Sequence, residues 1–173
     1  MQDFAIRLRD ALVRIEQFVC SITVFSLVMI VAWGVVERYI LRWGTGWTDE
    51  LSRYVCIWAM MIGAGLGVVR GAHVGVEVFV RMLPKKFQLF IEFVSYILCI
   101  IFTIALSCVG VEYFEKLIKT HQLTPTLEFP IAYAYLAIPA GAMLMSLHYL
   151  IKIVAFKAEH EEARAAAAGE DNA

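Results

Sequence analysis

The hydrophobic runs of this sequence contain no aspartate, glutamate, lysine or arginine. Over the whole chain 18% of the 173 residues are charged and 61% are hydrophobic, a composition too apolar for an ordinary soluble domain. The uncharged runs cover residues 18–36, 54–69, 93–111 and 129–151. Three of them are long enough, at about 1.5 Å per residue, to cross a hydrocarbon core of roughly 30 Å. The sequence therefore predicts an all-α membrane protein with four transmembrane helices and no room for a second globular domain.

The runs also lack the ionisable groups that an ion-coupled substrate site requires. Such sites usually show charged residues or broken helices near the bilayer midplane, whereas here every acidic residue lies at or beyond the end of a run. This argues against a substrate site within this chain alone, and against a small multidrug exporter with an intramembrane carboxylate. We expect no catalytic residue, no substrate-binding residue, no cofactor, no metal and no nucleic-acid partner.

The four cysteines show no paired spacing typical of a metal or redox motif. Cys20, Cys56, Cys99 and Cys108 all lie within the apolar runs. Buried thiols commonly pack as small hydrophobic groups, and we expect that role here.

Lysine and arginine are unevenly divided between the segments that flank the predicted spans. The two terminal flanks and the loop between the second and third spans hold ten of them, and the other two loops hold five. The positive-inside rule therefore places both termini in the cytoplasm.

The predicted organisation has three parts. Residues 1–17 repeat apolar positions at Phe4, Leu8, Leu12 and Ile15, which favours an amphipathic helix in the cytoplasmic interface; the alternative is a simple extension of the first span. The transmembrane domain covers 18–151, with spans at about 18–40, 49–71, 89–119 and 129–152, and a second short interfacial helix is expected within 74–88. Residues 152–173 are predicted to form a polar cytoplasmic tail.

Charged residues cluster where the first span ends and the second begins. The cluster consists of Glu37, Arg38, Asp49, Glu50 and Arg53. It can be read as the solvated ends of two helices, or as a set of contacts that pins these helices to each other and to a partner. Because the second run is short, its flanking arginines must snorkel or contact protein, so we favour the pinning role. Asp49 and Arg53 can also pair one turn apart along the helix.

Small residues recur every fourth position along the second span. Ala59, Gly63, Gly67 and Gly71 form this strip. A strip of small residues on one helical face lets another helix approach closely. We expect it to be a packing surface, either within the protein or toward a partner.

Two histidines suggest a rival function. His73 follows the second span and His148 lies late in the fourth. Two facing imidazoles in a helical bundle could bind a haem, as in membrane anchors of respiratory complexes. The alternative is that His73 ends a helix and His148 is a hydrogen-bonded or interfacial residue.

The second span and its flanks resemble the signature of the small membrane subunit of TRAP (tripartite ATP-independent periplasmic) transporters, the DctQ or SiaQ family. The similar elements are Trp47, Asp49-Glu50-Leu51-Ser52-Arg53, Trp58 with the glycine-rich stretch after it, and Arg70-Gly71-Ala72-His73-Val74. The resemblance covers nearly the whole chain, including its size and its four spans.

This resemblance implies a non-enzymatic subunit of the bacterial inner membrane, part of a sodium-coupled importer of sialic acid or C4-dicarboxylates. Its implied partners are a large membrane subunit of the DctM or SiaM type, a periplasmic binding protein of the DctP or SiaP type, and lipids. The residues predicted to form the partner or packing interface are Trp47, Asp49, Glu50, Arg53, Trp58, Gly63, Gly67 and Gly71. Those predicted to be structural ion-pair or interfacial residues are Glu37, Arg38, Arg70 and His73.

The predicted topology can be tested by cysteine labelling in a cysteine-free background. Cysteines introduced at Thr45 and Gln122 should react with an impermeant reagent from the periplasm, and cysteines at Gln2 and Asn172 should be protected, because the positive-inside rule places both termini in the cytoplasm. The reverse pattern would overturn the topology.

Overall fold

The computed structural model describes residues 2–44, 46–70 and 85–170, and every long element in them is a helix. The helices are α1 (Gln2–Val36), which continues as a π-helical turn (Glu37–Leu41), α2 (Trp47–Arg70), α3 (Lys85–Lys119), α4 (Ala132–Tyr135) and α5 (Ala137–Glu170). Four segments are long and apolar enough to cross a membrane: Asp10–Leu41, Trp47–Arg70, Phe93–Lys119 and Ala132–Val154. The prediction of an all-α protein with four such helices is confirmed.

The N-terminal segment and the first span form one uninterrupted helix from Gln2 to Val36. The backbone thus follows the alternative of a simple extension, and an interfacial position for residues 1–17 stays a prediction. Of the second predicted interfacial helix, residues 74–84 lie outside the described residues. In the predicted polar tail, α5 continues as helix to Glu170.

The last span begins at Ala132, not at residue 129 as predicted. Residues 120–131 form a turned connection in which Leu123 and Pro130 make an antiparallel bridge. The amide of Ile131 donates to the carbonyl of Gln122 at 3.1 Å. Pro130 therefore helps to close the connection and precedes the helix.

The four long helices lie side by side in a single row. α1 packs against α2, α2 against α5, and α5 against α3. Within the described residues, the backbone of α3 approaches neither α1 nor α2, and that of α1 does not approach α5. The apolar parts of the outer helices α1 and α3 are mostly exposed, whereas α2 and α5 carry most of the buried residues. The row is a layer one helix thick.

Glycines set two of the helix contacts in this row. A Cβ atom added to Gly141 of α5 would lie 2.6 Å from Cβ of Met61 in α2. A Cβ added to Gly110 of α3 would lie 3.0 Å from Cδ of Pro139 in α5. A side chain at Gly141 would force a shift of the helices, and one at Gly110 would press on Pro139; close backbone approach is a main source of helix association in lipid.

We predict that Gly141→Ala destabilises the protein. The added methyl group cannot fit against Met61 without a backbone shift, and overpacking of this kind costs about 1–3 kcal/mol. Thermal unfolding in detergent should show the loss as a lower melting temperature. Gly44→Ala is the matched control, because a Cβ there meets nothing within 4 Å. Equal melting temperatures for the two variants would contradict the prediction.

Candidate functional site

Two connections meet at one end of the row, which we call the hairpin end. Residues 42–46 join α1 to α2 there, and residues 120–131 join α3 to α4. The opposite end, which carries both chain termini, is called the terminal end. Buried carboxylates occur at both ends, and they organise most of the polar contacts between helices.

Glu37 links α1 to α2 at the hairpin end. Its residue is only 4% exposed. One carboxylate oxygen accepts a hydrogen bond from Nε1 of Trp47 at 3.0 Å, and the other accepts one from the hydroxyl of Thr48 at 3.2 Å. Gly34 allows the approach, because a Cβ there would lie 3.2 Å from Oγ1 of Thr48.

The backbone around Glu37 makes this contact possible. The π-helical turn over Glu37–Leu41 ends at Arg42, which is left-handed with φ 55°. The amide of Trp43 then donates to the carbonyl of Glu37 at 3.1 Å, and Gly46 turns the chain with φ 67°. Short π-helical turns are rare and often occur at functional sites. This one reverses the chain so that the start of α2 faces the Glu37 carboxylate.

Glu50 links α2 to the connection between α3 and α4. Its residue is 8% exposed. Oε1 accepts a hydrogen bond from the Tyr54 hydroxyl at 2.8 Å. Oε2 accepts the backbone amides of Thr126 and Leu127 at 3.0 and 3.1 Å. The carboxylate therefore holds a turn that lies more than seventy residues away in the sequence.

The connection held by Glu50 is also braced from within. The Thr124 amide donates to the Phe129 carbonyl at 2.9 Å, and the Phe129 amide donates to the Thr124 hydroxyl at 3.1 Å. Glu128 adopts a left-handed φ of 50° between them. Because its backbone groups are paired in this way, the connection is a defined turn rather than a loose loop.

The exposed ion pair of the cluster differs from the one predicted. Nη2 of Arg38 lies 2.6 Å from Oδ2 of Asp49, and both side chains are more than 60% exposed. Among the ion pairs of the described residues, the expected Asp49–Arg53 pair is not present, because Asp49 turns toward α1. Arg53 itself is exposed. Exposed pairs of this kind contribute little to stability. The buried glutamates Glu37 and Glu50 therefore hold α2 to its neighbours at this end.

Trp58, one helical turn after Tyr54, makes a further contact between α2 and α4. Its Nε1 donates to the carbonyl of Tyr133 in α4 at 3.2 Å. An apolar groove of about 430 Å³ lies beside it. The groove is lined by Leu51, Tyr54, Trp58, Leu127, Phe129, Tyr133, Ala134 and Leu136.

One member of the predicted strip of small residues, Gly63, faces the neighbouring helix α1. Ala59 is buried, and a Cβ on Gly63 would meet Sγ of Cys20 in α1 at 3.9 Å. Gly67 is partly buried, and Gly71 lies outside the described residues. Gly65 of α2, which was not part of the predicted strip, faces α5.

A second buried carboxylate site occurs at the terminal end and was not predicted. Nε2 of His148 lies 2.9 Å from both carboxylate oxygens of Glu16. These residues are 3% and 7% exposed. No local pattern indicates this pair, because Glu16 precedes an apolar run and His148 lies 132 positions later.

These contacts do not favour the haem alternative. The Nε2 atom of His148, one of the two ring nitrogens that can bind iron, contacts Glu16. His73 lies outside the described residues. Of the other residues predicted to be interfacial, Arg70 is exposed at the end of α2.

Comparison with known proteins gives a consistent family. Residues 27–157 match the family model described as "Tripartite ATP-independent periplasmic transporters, DctQ component". This match includes α2 and the hairpin end described above. It covers well over half of the chain.

Curated relatives carry matching names. The C4-dicarboxylate TRAP transporter small permease protein DctQ of Rhodobacter capsulatus is 30% identical over 104 residues, 60% of this chain and 46% of that protein. The protein of the same name from Vibrio cholerae is 24% identical over 67% of this chain and 50% of its own length. The chain thus spans about half the length of these two relatives.

A third relative is matched over most of both chains. The sialic acid TRAP transporter small permease protein SiaQ of Vibrio cholerae is 22% identical over 146 residues, 84% of this chain and 83% of that protein. Together with the family match and four helices long enough to cross a membrane, this similarity gives a single identification. The chain belongs to the DctQ family, the small permease subunits of TRAP transporters.

Proposed function

We propose that this chain is the small inner-membrane subunit of a sodium-coupled TRAP importer that takes up an organic acid. Its partners would be a large membrane subunit that carries the transport path and a periplasmic substrate-binding protein. The names of the relatives support an organic acid, either a C4-dicarboxylate or sialic acid. In this proposal the chain braces the static part of the large subunit, both termini face the cytoplasm, and the hairpin end faces the periplasm.

The observation that carries the bracing role is the single row of helices. Within the described residues the helices do not close a ring around a path. Moving sodium or a carboxylate through a bilayer requires compensating polar groups at depth. Between the two ends of the row, the hydroxyl of Ser146 in α5 donates a hydrogen bond to the hydroxyl of Thr103 in α3 at 2.9 Å. These hydroxyls therefore join two helices. A layer one helix thick is suited to lie along the side of a large membrane subunit and to extend its static part.

The hairpin end supports the same proposal. Glu37 fixes α2 to α1 and Glu50 fixes α2 to the 120–131 connection, so the end of α1 and this connection are both held against one helix. A surface fixed in this way can present side chains to a binding protein in one arrangement. Arg38, Asp49 and Arg53 are among its exposed charges, and we propose them as candidate docking contacts.

Reconstitution tests the proposal directly. Proteoliposomes with a sodium gradient should show no uptake of sialic acid or C4-dicarboxylate with this chain alone, because no polar path crosses the described row. The large subunit with its binding protein should lose most uptake when this chain is omitted. Sodium-driven uptake by this chain alone, or full uptake without it, would contradict the proposal.

A second prediction concerns Glu50. In Glu50→Ala the amides of Thr126 and Leu127 lose their charged acceptor, and a hydrogen bond to a charged group contributes about 1.5–3 kcal/mol. We expect a lower yield of the complex with the large subunit after detergent extraction, and lower uptake. Limited proteolysis should show faster cleavage within 120–131.

The matched control for this prediction is Glu115→Ala, which removes an exposed carboxylate of α3 at the same end of the row and should have a small effect. Substrate binding by the isolated periplasmic protein should be the same for both variants. Equal losses of assembly and uptake in both variants would show that burial of the Glu50 carboxylate is not what matters.

A further inference from the structure

The Glu16–His148 pair joins two helices that are not neighbours in the row. α1 and α5 lie on either side of α2, and their backbones do not approach each other within the described residues. Both side chains meet beside Gly65 of α2. A Cβ on Gly65 would lie 3.9 Å from Oε2 of Glu16 and 4.0 Å from Cδ2 of His148. The missing side chain leaves the space in which the pair forms.

At the terminal end, this pair is the described polar link between α1 and the rest of the row. The links made by Glu37 and Arg38 lie at the hairpin end of α1. The hydroxyl pair of Thr103 and Ser146 joins α3 to α5 and does not involve α1. At the terminal end, α1 is otherwise held by its packing along α2. Its residues Ile15 and Phe18 are exposed there.

The geometry of the pair makes its strength depend on a proton. Both carboxylate oxygens of Glu16 face the same nitrogen of His148, at 2.9 Å each. With a protonated imidazole this is a buried ion pair. With a neutral imidazole, the buried carboxylate has at most one uncharged donor, the Nε2–H group of the ring. A buried carboxylate is costly unless it is paired with a positive charge or several donors. Imidazoles ordinarily change charge between about pH 5 and 8.

Among the side chains that the structure describes, the other ionisable groups near the pair do not replace either partner. On α1, Cys20 lies one turn further on and contacts α2 at Gly63. On α5, Tyr149 lies beside the Tyr96 ring of α3, and Nζ of Lys152 lies 5.9 Å from that same ring. α2 carries no charged residue between Arg53 and Arg70. Glu16 is thus the acidic side chain that the structure places against His148.

We propose that Glu16 and His148 form a proton-dependent latch that holds the terminal half of α1 against α5. The latch is closed when the imidazole is protonated and the carboxylate is charged. It weakens as pH rises and the imidazole loses its proton. The latch concerns this chain alone and goes beyond the proposed function.

The latch can be tested by distance measurement on the full chain in lipid nanodiscs. Spin labels are placed at the exposed positions Arg14 of α1 and Leu150 of α5, with the native cysteines replaced by alanine. Double electron–electron resonance is recorded at about pH 5.5 and about pH 8.5, on either side of the ordinary imidazole titration. We expect the distance distribution to broaden about twofold at the higher pH, as a locally released helix end would.

Two variants and one control identify the groups responsible. Glu16→Gln and His148→Gln each remove one charge with little change in shape, and the distribution in both should no longer change with pH. Asp10→Asn removes an exposed carboxylate from the same helix and should respond as the unchanged chain does. This control also reports any general effect of charge on α1.

The outcomes decide the proposal in either direction. An unchanged distribution between the two pH values would overturn it. So would an undiminished pH response in both glutamine variants, since another group would then be responsible. If neither variant folds, the response of the unchanged chain and of Asp10→Asn decides. Because no partner is present, failure here leaves the importer proposal intact, and uptake without this chain would leave the latch intact.

Discussion

Helices in a bilayer gain little from burying apolar side chains against one another, because lipid is as apolar as they are. A row of four helices must therefore be held by close backbone approach and by polar contacts. Gly141 and Gly110 provide the close approach on the two sides of α5. Buried glutamates provide the polar contacts of α2 at the hairpin end and of α1 at the terminal end. The middle helices α2 and α5 carry both kinds of contact, and the outer helices depend on them.

This arrangement explains why the spans could be predicted and their contacts could not. An uncharged run long enough to cross a bilayer is a local property, so four spans follow from the sequence. The acidic start of α2 likewise pointed to a fixing role for Glu50. Its acceptor function, however, depends on the amides of Thr126 and Leu127. Those amides carry no side-chain signal and reach Glu50 only through the fold.

The prediction of the packing strip was limited for the same reason. Regular spacing drew attention to Gly63 and Gly67, and Gly63 does face α1. The tightest contacts are made by Gly110 and Gly141, which are isolated in their helices and form no pattern. Glu16 and His148 were equally hidden, because a polar pair between distant helices requires the row to place them across Gly65. Long-range pairs of this kind depend on helix order, which a single sequence does not display.

The two ends of the row are fixed by different chemistry. At the hairpin end, the buried carboxylates accept hydrogen bonds from indole, hydroxyl and backbone amide groups. None of these donors ordinarily changes its charge near neutral pH. At the terminal end, the buried carboxylate faces an imidazole, a type of group that ordinarily changes its charge in that range. With the proposed latch, the hairpin end would keep one geometry across physiological pH, while the position of α1 at the terminal end would follow the proton concentration on that side of the membrane.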